Sequence, residues 1–250
     1  MRSFFNMEGP FFVFMNKVAD LFILNILFII CCLPVITIGA SFTAMSYVTL
    51  KMKDGNEGYV WKSFFHSFKQ NFRQATLIWL IMLFFAAVLI LDFLVMRSQT
   101  GGAWILMRYG VIVGAVVWSI LFLYVFPTLA RFYNSIRRTF SNALLLALAN
   151  APKTLLMLLA TALAVVATIW SGTTIAYGAL VWMMFGFAIL SLIYSTLQIG
   201  LFRKMSGQPE VNEDEEEKPW VLPDEPEEAG ETESLPDLHE ENEADKTDPS

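Results

Sequence analysis

Residues 18–39, VADLFILNILFIICCLPVITIG, decide the fold class. One acid, one amide and no base interrupt a run long enough to cross the hydrocarbon core of a bilayer, which takes about 20 mostly apolar residues in a helix. The run is longer than a secretory h-region, and Phe4, Phe5, Phe11, Phe12 and Phe14 precede it where a signal peptide has a short basic segment, so it reads as a retained anchor. Working outward, the same scan finds Ala75–Met96, Tyr109–Ala130, Thr154–Trp170 and Thr174–Phe202. The expectation is an all-α polytopic bundle of about five spans. Ser171-Gly172-Thr173 marks a tight turn between the last two.

Composition agrees, with 56% hydrophobic residues, 16% charged residues and a mean hydropathy of +0.53. The net charge of −6 averages two unlike segments. Residues 1–206 carry 15 Lys and Arg against 5 Asp and Glu, whereas residues 207–250 carry 2 against 18. The first segment is the lipid-embedded body. The second is an acidic tail too poor in apolar surface to offset the entropy of ordering, so it is expected to be disordered. Neither a soluble enzyme nor a nucleic-acid binder fits this balance.

With five spans, Lys51, Lys53, Lys62, Lys69, Arg73, Arg131, Arg137, Arg138, Lys153, Arg203 and Lys204 share one side, against Arg2, Lys17, Arg97 and Arg108 on the other. The positive-inside rule then places the N-terminus outside and the C-terminus in the cytoplasm.

Two groups of residues stand out as candidate sites. Asp20, Asn25, Asp92, Arg97 and Arg108 are polar groups within or beside spans, where burial is costly and function is the usual reason to keep them. The expected arrangement gathers the two acids and two arginines near the outer interface, as a structural pairing or a solute-binding vestibule. Asn25 lies deeper, and a bond to a neighbouring helix is the favoured role. Trp61, Phe64, Phe65, Phe68 and Phe72 recur at helical spacing over Val60–Arg73, with Lys69 and Arg73 among the cations off that face. This pattern predicts an in-plane amphipathic helix on the cytoplasmic surface, its aromatics in the acyl boundary or docked on a partner. After Pro34, the small and hydroxylated residues Thr37, Gly39, Ala40, Ser41, Thr43 and Ala44 allow close helix approach and can re-satisfy a carbonyl freed by the proline.

No catalytic constellation is legible: His66 and His239 are the two histidines, and GxSxG, HExxH and P-loop patterns are missing. Cys31 and Cys32 are adjacent, without metal-ligand or CxxC spacing. No enzyme activity, metal or cofactor is expected, and nothing here sets the oligomeric state.

Residues 4–52, FFNMEGPFFVFMNKVADLFILNILFIICCLPVITIGASFTAMSYVTLKM, together with residues 58–82, GYVWKSFFHSFKQNFRQATLIWLIM, resemble the YesL family. These are small membrane proteins of Gram-positive bacteria whose shared domain has no assigned function. The likeness is strong over the first third, diffuse to about Met205 and lost in the tail. It implies a multi-pass plasma-membrane protein, often encoded near sugar-uptake importers and polysaccharide-degrading enzymes, and it brings no established site residues. Asp54-Gly55 before an aromatic segment is similar to part of the coupling loop of binding-protein-dependent ABC importer permeases. That loop's Glu-Ala-Ala run and closing Leu-Pro are missing, so the chain is not read as the permease. The functional expectation is an accessory component of carbohydrate or oligosaccharide uptake, with lipid and a carbohydrate ABC importer as partners. A small secondary transporter is the alternative.

Overall fold

The computed structural model describes residues 10–55, 58–97, 102–132 and 134–205, so the acidic tail lies outside the described residues. Every regular element among these is helical: α1 (Pro10–Cys32), a 3-10 turn (Val35–Thr37), α2 (Ile38–Lys53), α3 (Val60–Arg97), α4 (Gly102–Arg131), α5 (Ile136–Ala149), α6 (Ala151–Ile169), α7 (Gly172–Val181), a π-helical turn (Trp182–Gly186) and α8 (Phe187–Met205). Six of the helical stretches are long and apolar enough to cross a membrane, with α7, the π turn and α8 forming one of them. The all-α polytopic expectation holds, and the count of about five rises by one.

The additional stretch is α2. The first span was expected to run through Pro34 to Gly39, but α1 stops at Cys32, because proline lacks an amide hydrogen and disfavours helical backbone at the residue before it. The Thr37 hydroxyl then sits 2.6 Å from the Cys31 carbonyl and 2.7 Å from the Pro34 carbonyl, donating into the gap at the broken helix end. The chain reverses and α2 returns through the middle of the bundle, buried from Gly39 to Leu50 except at half-buried Phe42. Its small side chains let the neighbours come close. A Cβ on Gly39 would lie 2.6 Å from both the Ala75 carbonyl oxygen and the Trp79 Cβ, so this crossing needs glycine. Hydroxyls that a lipid-facing helix would avoid are paired here: Ser41 donates to Thr37 O, Thr43 to Gly39 O, and Thr49 contacts Ser191 and Ser195 at 3.0 and 2.7 Å.

Against α2 lies α3, a continuous helix of 38 residues. That is about 57 Å at 1.5 Å per residue, well beyond a hydrocarbon core of about 30 Å. Its buried stripe is Val60, Phe64, Ser67, Asn71, Ala75, Ile78 and Met82, spaced three or four apart. Val60–Arg73 is therefore not a separate in-plane helix; it is the first part of α3, turned toward α2. The polar pair inside the stripe is satisfied locally, with the Asn71 amide donating to the Ser67 carbonyl and hydroxyl at 3.1 and 3.3 Å. The short separate helix between spans is α5, which buries Thr139, Ala143, Leu146 and Ala147 and exposes Arg137 and Arg138.

Direction follows from what meets at each end. Lys17 and Asp20 of α1 share a pocket with Lys51 and Lys53 of α2 and Ser63 of α3. Asp54, just past α2, pairs with Arg131 at the end of α4 and Arg203 near the end of α8. We call this the basal end. α1 and α2 thus form a hairpin that leaves and returns at one end, with its tip fixed by the Trp79 indole donating to Val35 O at 2.8 Å. From Trp79, α3 climbs 18 more residues, about 27 Å, to Arg97. Whether the α1–α2 hairpin crosses fully or re-enters, the start of α1 shares an end with the end of α8. Five spans would separate these two helix ends; the sixth stretch, α2, brings them to one end of the bundle.

Aromatic rings knit the crossing of these helices: Phe42 meets Phe28, Phe122 and Phe126 at centroid distances of 4.9, 4.8 and 6.1 Å, and Trp118 stacks on Phe122 at 5.5 Å. Further along, α6 and α7 form the expected tight pair around Ser171, which caps α7 in a reciprocal bond pair with Thr174.

With Cys31 and Cys32 replaced, cysteines at Asn16, Tyr59 and Ser135 should react with a membrane-impermeant maleimide from one face of the membrane, and a cysteine at Leu106 from the other. Asn16 reacting together with Leu106 would contradict the hairpin.

Candidate functional site

The polar residues picked out in the sequence do not converge. Asp20 sits at the basal end beside Ser63, whereas Arg97 closes the far end of α3, about 51 Å away along the axis. Asp92 and Arg97 are exposed on α3, and Arg108 donates to Met96 O at 3.1 Å across the α3–α4 turn. The expected outer cluster of Asp20 with Asp92, Arg97 and Arg108 is therefore not formed, because α1 begins at the other end of the bundle.

Asn25 has the helix-to-helix role expected of it. The side chain is fully buried and is committed to backbone on all sides. Its amide donates to Trp182 O at 3.0 Å and Met183 O at 2.8 Å, while its oxygen accepts from the Ala188 amide at 3.0 Å. These are groups that a π-helical turn leaves out of the regular ladder. Inside a bilayer such groups need an internal partner, and Asn25 supplies three bonds from one side chain. The pinned turn fixes Trp182, whose indole donates to Thr168 Oγ1 at 2.9 Å and packs on Phe187 at 4.9 Å.

The aromatic stripe also divides. Phe64 is fully buried, and Phe68 and Phe72 pack half-buried against the core. Trp61 and Phe65 remain exposed, as do Lys69 and Arg73. No single aromatic docking face results, because the helix turns its Ser67 and Asn71 side, not the centre of its aromatic side, toward α2.

What the fold does create is a cleft. Beyond the aromatic crossing, the α3–α4 hairpin and the α6–α8 hairpin part, leaving an open cavity of about 1050 Å³. Leu89 and Phe93 wall it on one side, Val165 and Trp182 on the other, and Ser46, Ser191 and Ser195 lie along its floor. Tyr194 and Thr161 share a 2.6 Å hydroxyl bond within it. No Asp, Glu, Lys, Arg or His is among the described residues lining it. Trp182, which the Asn25-pinned turn holds in place, ties the shape of this wall to α1.

The second built feature is the basal clamp. Asp54 Oδ2 accepts from Arg131 at 2.5 Å, and Oδ1 accepts from Arg203 Nε and Nη2 at 3.3 and 3.0 Å. The side chains of Asp54 and Arg131 are 6% and 4% exposed. One carboxylate thus joins the α2–α3 connection to α4 and α8, at the root of both hairpins that form the cleft. Positive φ at Gly55 (77°) lets the chain turn directly behind it. None of these three residues was singled out from sequence as a site. Among the described residues, no group of three or more His, Cys, Asp and Glu side chains comes together as a metal site.

Residues 21–93, from the middle of α1 to near the end of α3, match the family described as "Protein of unknown function, DUF624". No curated protein and no solved structure matches the chain. The matched stretch contains Asn25, the Pro34 break, all of α2 and Asp54, so it covers both the pin and the acidic centre of the clamp.

Breaking a buried ion pair by removing one partner costs about 3–5 kcal/mol, whereas replacing all members with apolar residues is often neutral. Asp54→Ala should therefore lower the Tm of the detergent-solubilised protein strongly. Arg131→Met with Arg203→Met in the same chain should recover most of the loss. Equal Tm for Asp54→Ala and the parent would remove the clamp from the account.

Proposed function

We propose that this protein is a non-catalytic membrane partner in carbohydrate or oligosaccharide uptake, and that the cleft between its hairpins receives a membrane-spanning helix of the importer it assists. The observation that carries this reading is the lining of the cleft: apolar walls, small residues such as Ala115 and Ala162, serine hydroxyls on the floor and no ionisable group. Small residues and hydroxyls favour close helix packing in a bilayer. Sugars need polar partners along their path, and this lining offers few.

The carbohydrate link comes from the resemblance to the YesL family, which the match over residues 21–93 supports. It is an association and not a consequence of the geometry. The orientation belongs to the same proposal. Twelve described Lys and Arg residues lie toward the basal end and two, Arg97 and Arg108, at the opposite end. The positive-inside rule then places the basal end, with the start of α1 and the end of α8, at the cytoplasmic face of the plasma membrane.

Deleting the gene should impair growth on a specific oligosaccharide and leave growth on glucose unchanged. Ala162→Trp, which fills the cleft from α6, should copy the deletion with the protein still present in the membrane at its normal Tm. Purified protein in liposomes should not move the sugar unaided. Robust flux from the protein alone would overturn this reading in favour of a transporter.

A further inference from the structure

The floor of the cleft has a hydrogen-bond polarity that its apolar walls conceal. Ser46 of α2 and Ser191 and Ser195 of α8 line it at 5%, 6% and 3% exposure, so only an occupant of the cleft can reach what their hydroxyls leave open. The protons can be assigned one by one. Thr49, one turn along α2 from Ser46, lies 3.1 Å from Met45 O and 3.2 Å from Ser46 O. Carbonyls only accept, so the Thr49 proton is held by its own helix, a common arrangement for threonine. Ser191 and Ser195 meet no acceptor besides Thr49 Oγ1 among the described residues, and they donate to it at 3.0 and 2.7 Å. Their protons are engaged and their lone pairs remain.

The walls repeat the pattern. Thr161 donates to Met157 O at 2.8 Å, so the 2.6 Å bond to Tyr194 uses the tyrosine's proton. Ser119 donates to Ala115 O at 2.8 Å. Ser46 is the exception, because its hydroxyl makes no hydrogen bond to any described residue. The floor therefore presents two acceptors, Ser191 and Ser195, and one uncommitted donor, Ser46.

We propose that the helix received by the cleft turns an asparagine or glutamine side chain to this floor, its NH2 donating to Ser191 and Ser195 and its carbonyl accepting from Ser46. This rests on the reading of the cleft as a helix seat and adds the chemistry of the occupant at one position. A primary amide carries two protons and an acceptor oxygen on one uncharged group. A hydroxyl has a single proton for two acceptors, and an ionised side chain would enter a lining without counter-charge, at a high desolvation cost. Asn25 already joins two elements of this chain through both ends of its amide.

The test uses the full chain in phosphatidylcholine liposomes, with Cys31 and Cys32 replaced and a fluorophore on a cysteine at Leu106. The probes are labelled leucine–alanine membrane-spanning peptides of about 20 residues with Asn, Gln or Leu at the centre, and energy transfer reads binding. The Asn and Gln peptides should bind roughly tenfold tighter than the Leu peptide, at about threefold for each interhelical hydrogen bond in a bilayer. Ser46→Ala removes a hydroxyl that holds nothing inside the protein, so it should keep the parent Tm and lower the preference about threefold. Ser191→Ala with Ser195→Ala leaves Thr49 bonded to its own helix and should remove most of the rest. Equal binding of the amide and Leu peptides, or a preference that survives all three substitutions, would overturn the amide pairing and leave the helix seat standing. Peptides that do not bind at all, or that bind as well to Ala162→Trp, would overturn the seat and the pairing together.

Discussion

Inside a bilayer, every backbone carbonyl released from its helix must find a donor within the protein. This structure depends on two amide side chains that meet that demand. Pro127 interrupts α4 and, lacking an amide hydrogen, leaves the Leu123 carbonyl without its usual partner. Gln198 of α8 donates to that carbonyl at 3.0 Å from a fully enclosed position. The π turn between α7 and α8 releases another set, which Asn25 of α1 takes up. Each amide ties α8 or its approach to another helix, so backbone irregularity becomes interhelical connection. The same logic, on a smaller scale, has Thr37 close the end that Pro34 opens.

These ties surround α2. Because α2 touches protein on most of its surface, it tolerates Ser41, Thr43, Ser46 and Thr49, which lipid would not solvate. Its glycine lets α3 approach, its aromatic Phe42 keys α1 and α4 together, and Asp54 at its end gathers α4 and α8. With the hairpins rooted at the basal end and held along α2, their distal halves are free of one another. The cleft is the result, and its apolar lining follows from lying at membrane depth.

The lipid-facing part of the fold is readable from sequence because lipid imposes a strict rule: long runs such as Ala75–Met96 and Thr174–Phe202 must be apolar on nearly every side. Helix α2 escaped that rule. Its sequence, IGASFTAMSYVTLKMK, looks like a small-residue connection, and only the neighbours that cover it make it a helix of the bundle. The aromatic stripe of α3 misled for a related reason. Periodicity found its apolar face, but α2 presents small and polar groups, so Ser67 and Asn71 turn inward and Trp61 outward. Asn25 was legible as an interhelical bond, whereas its partners were not, since Trp182–Gly186 carries no sequence mark of a π turn. Asp54 was legible only through the partial likeness of Asp54-Gly55 to a permease coupling loop; its structural meaning comes from Arg131 and Arg203, 77 and 149 residues further along the chain.

The central claim is that the cleft is a seat for another protein's helix. Its most direct measurement is photocrosslinking in native membranes from a benzoylphenylalanine placed at Ala162, with Leu148, exposed on α5, as the control position. The account predicts that the Ala162 adduct contains a peptide from a membrane-spanning segment of a carbohydrate importer subunit, while the Leu148 adduct contains none. Adducts at Ala162 consisting only of lipid, or of a second copy of this chain, would contradict it.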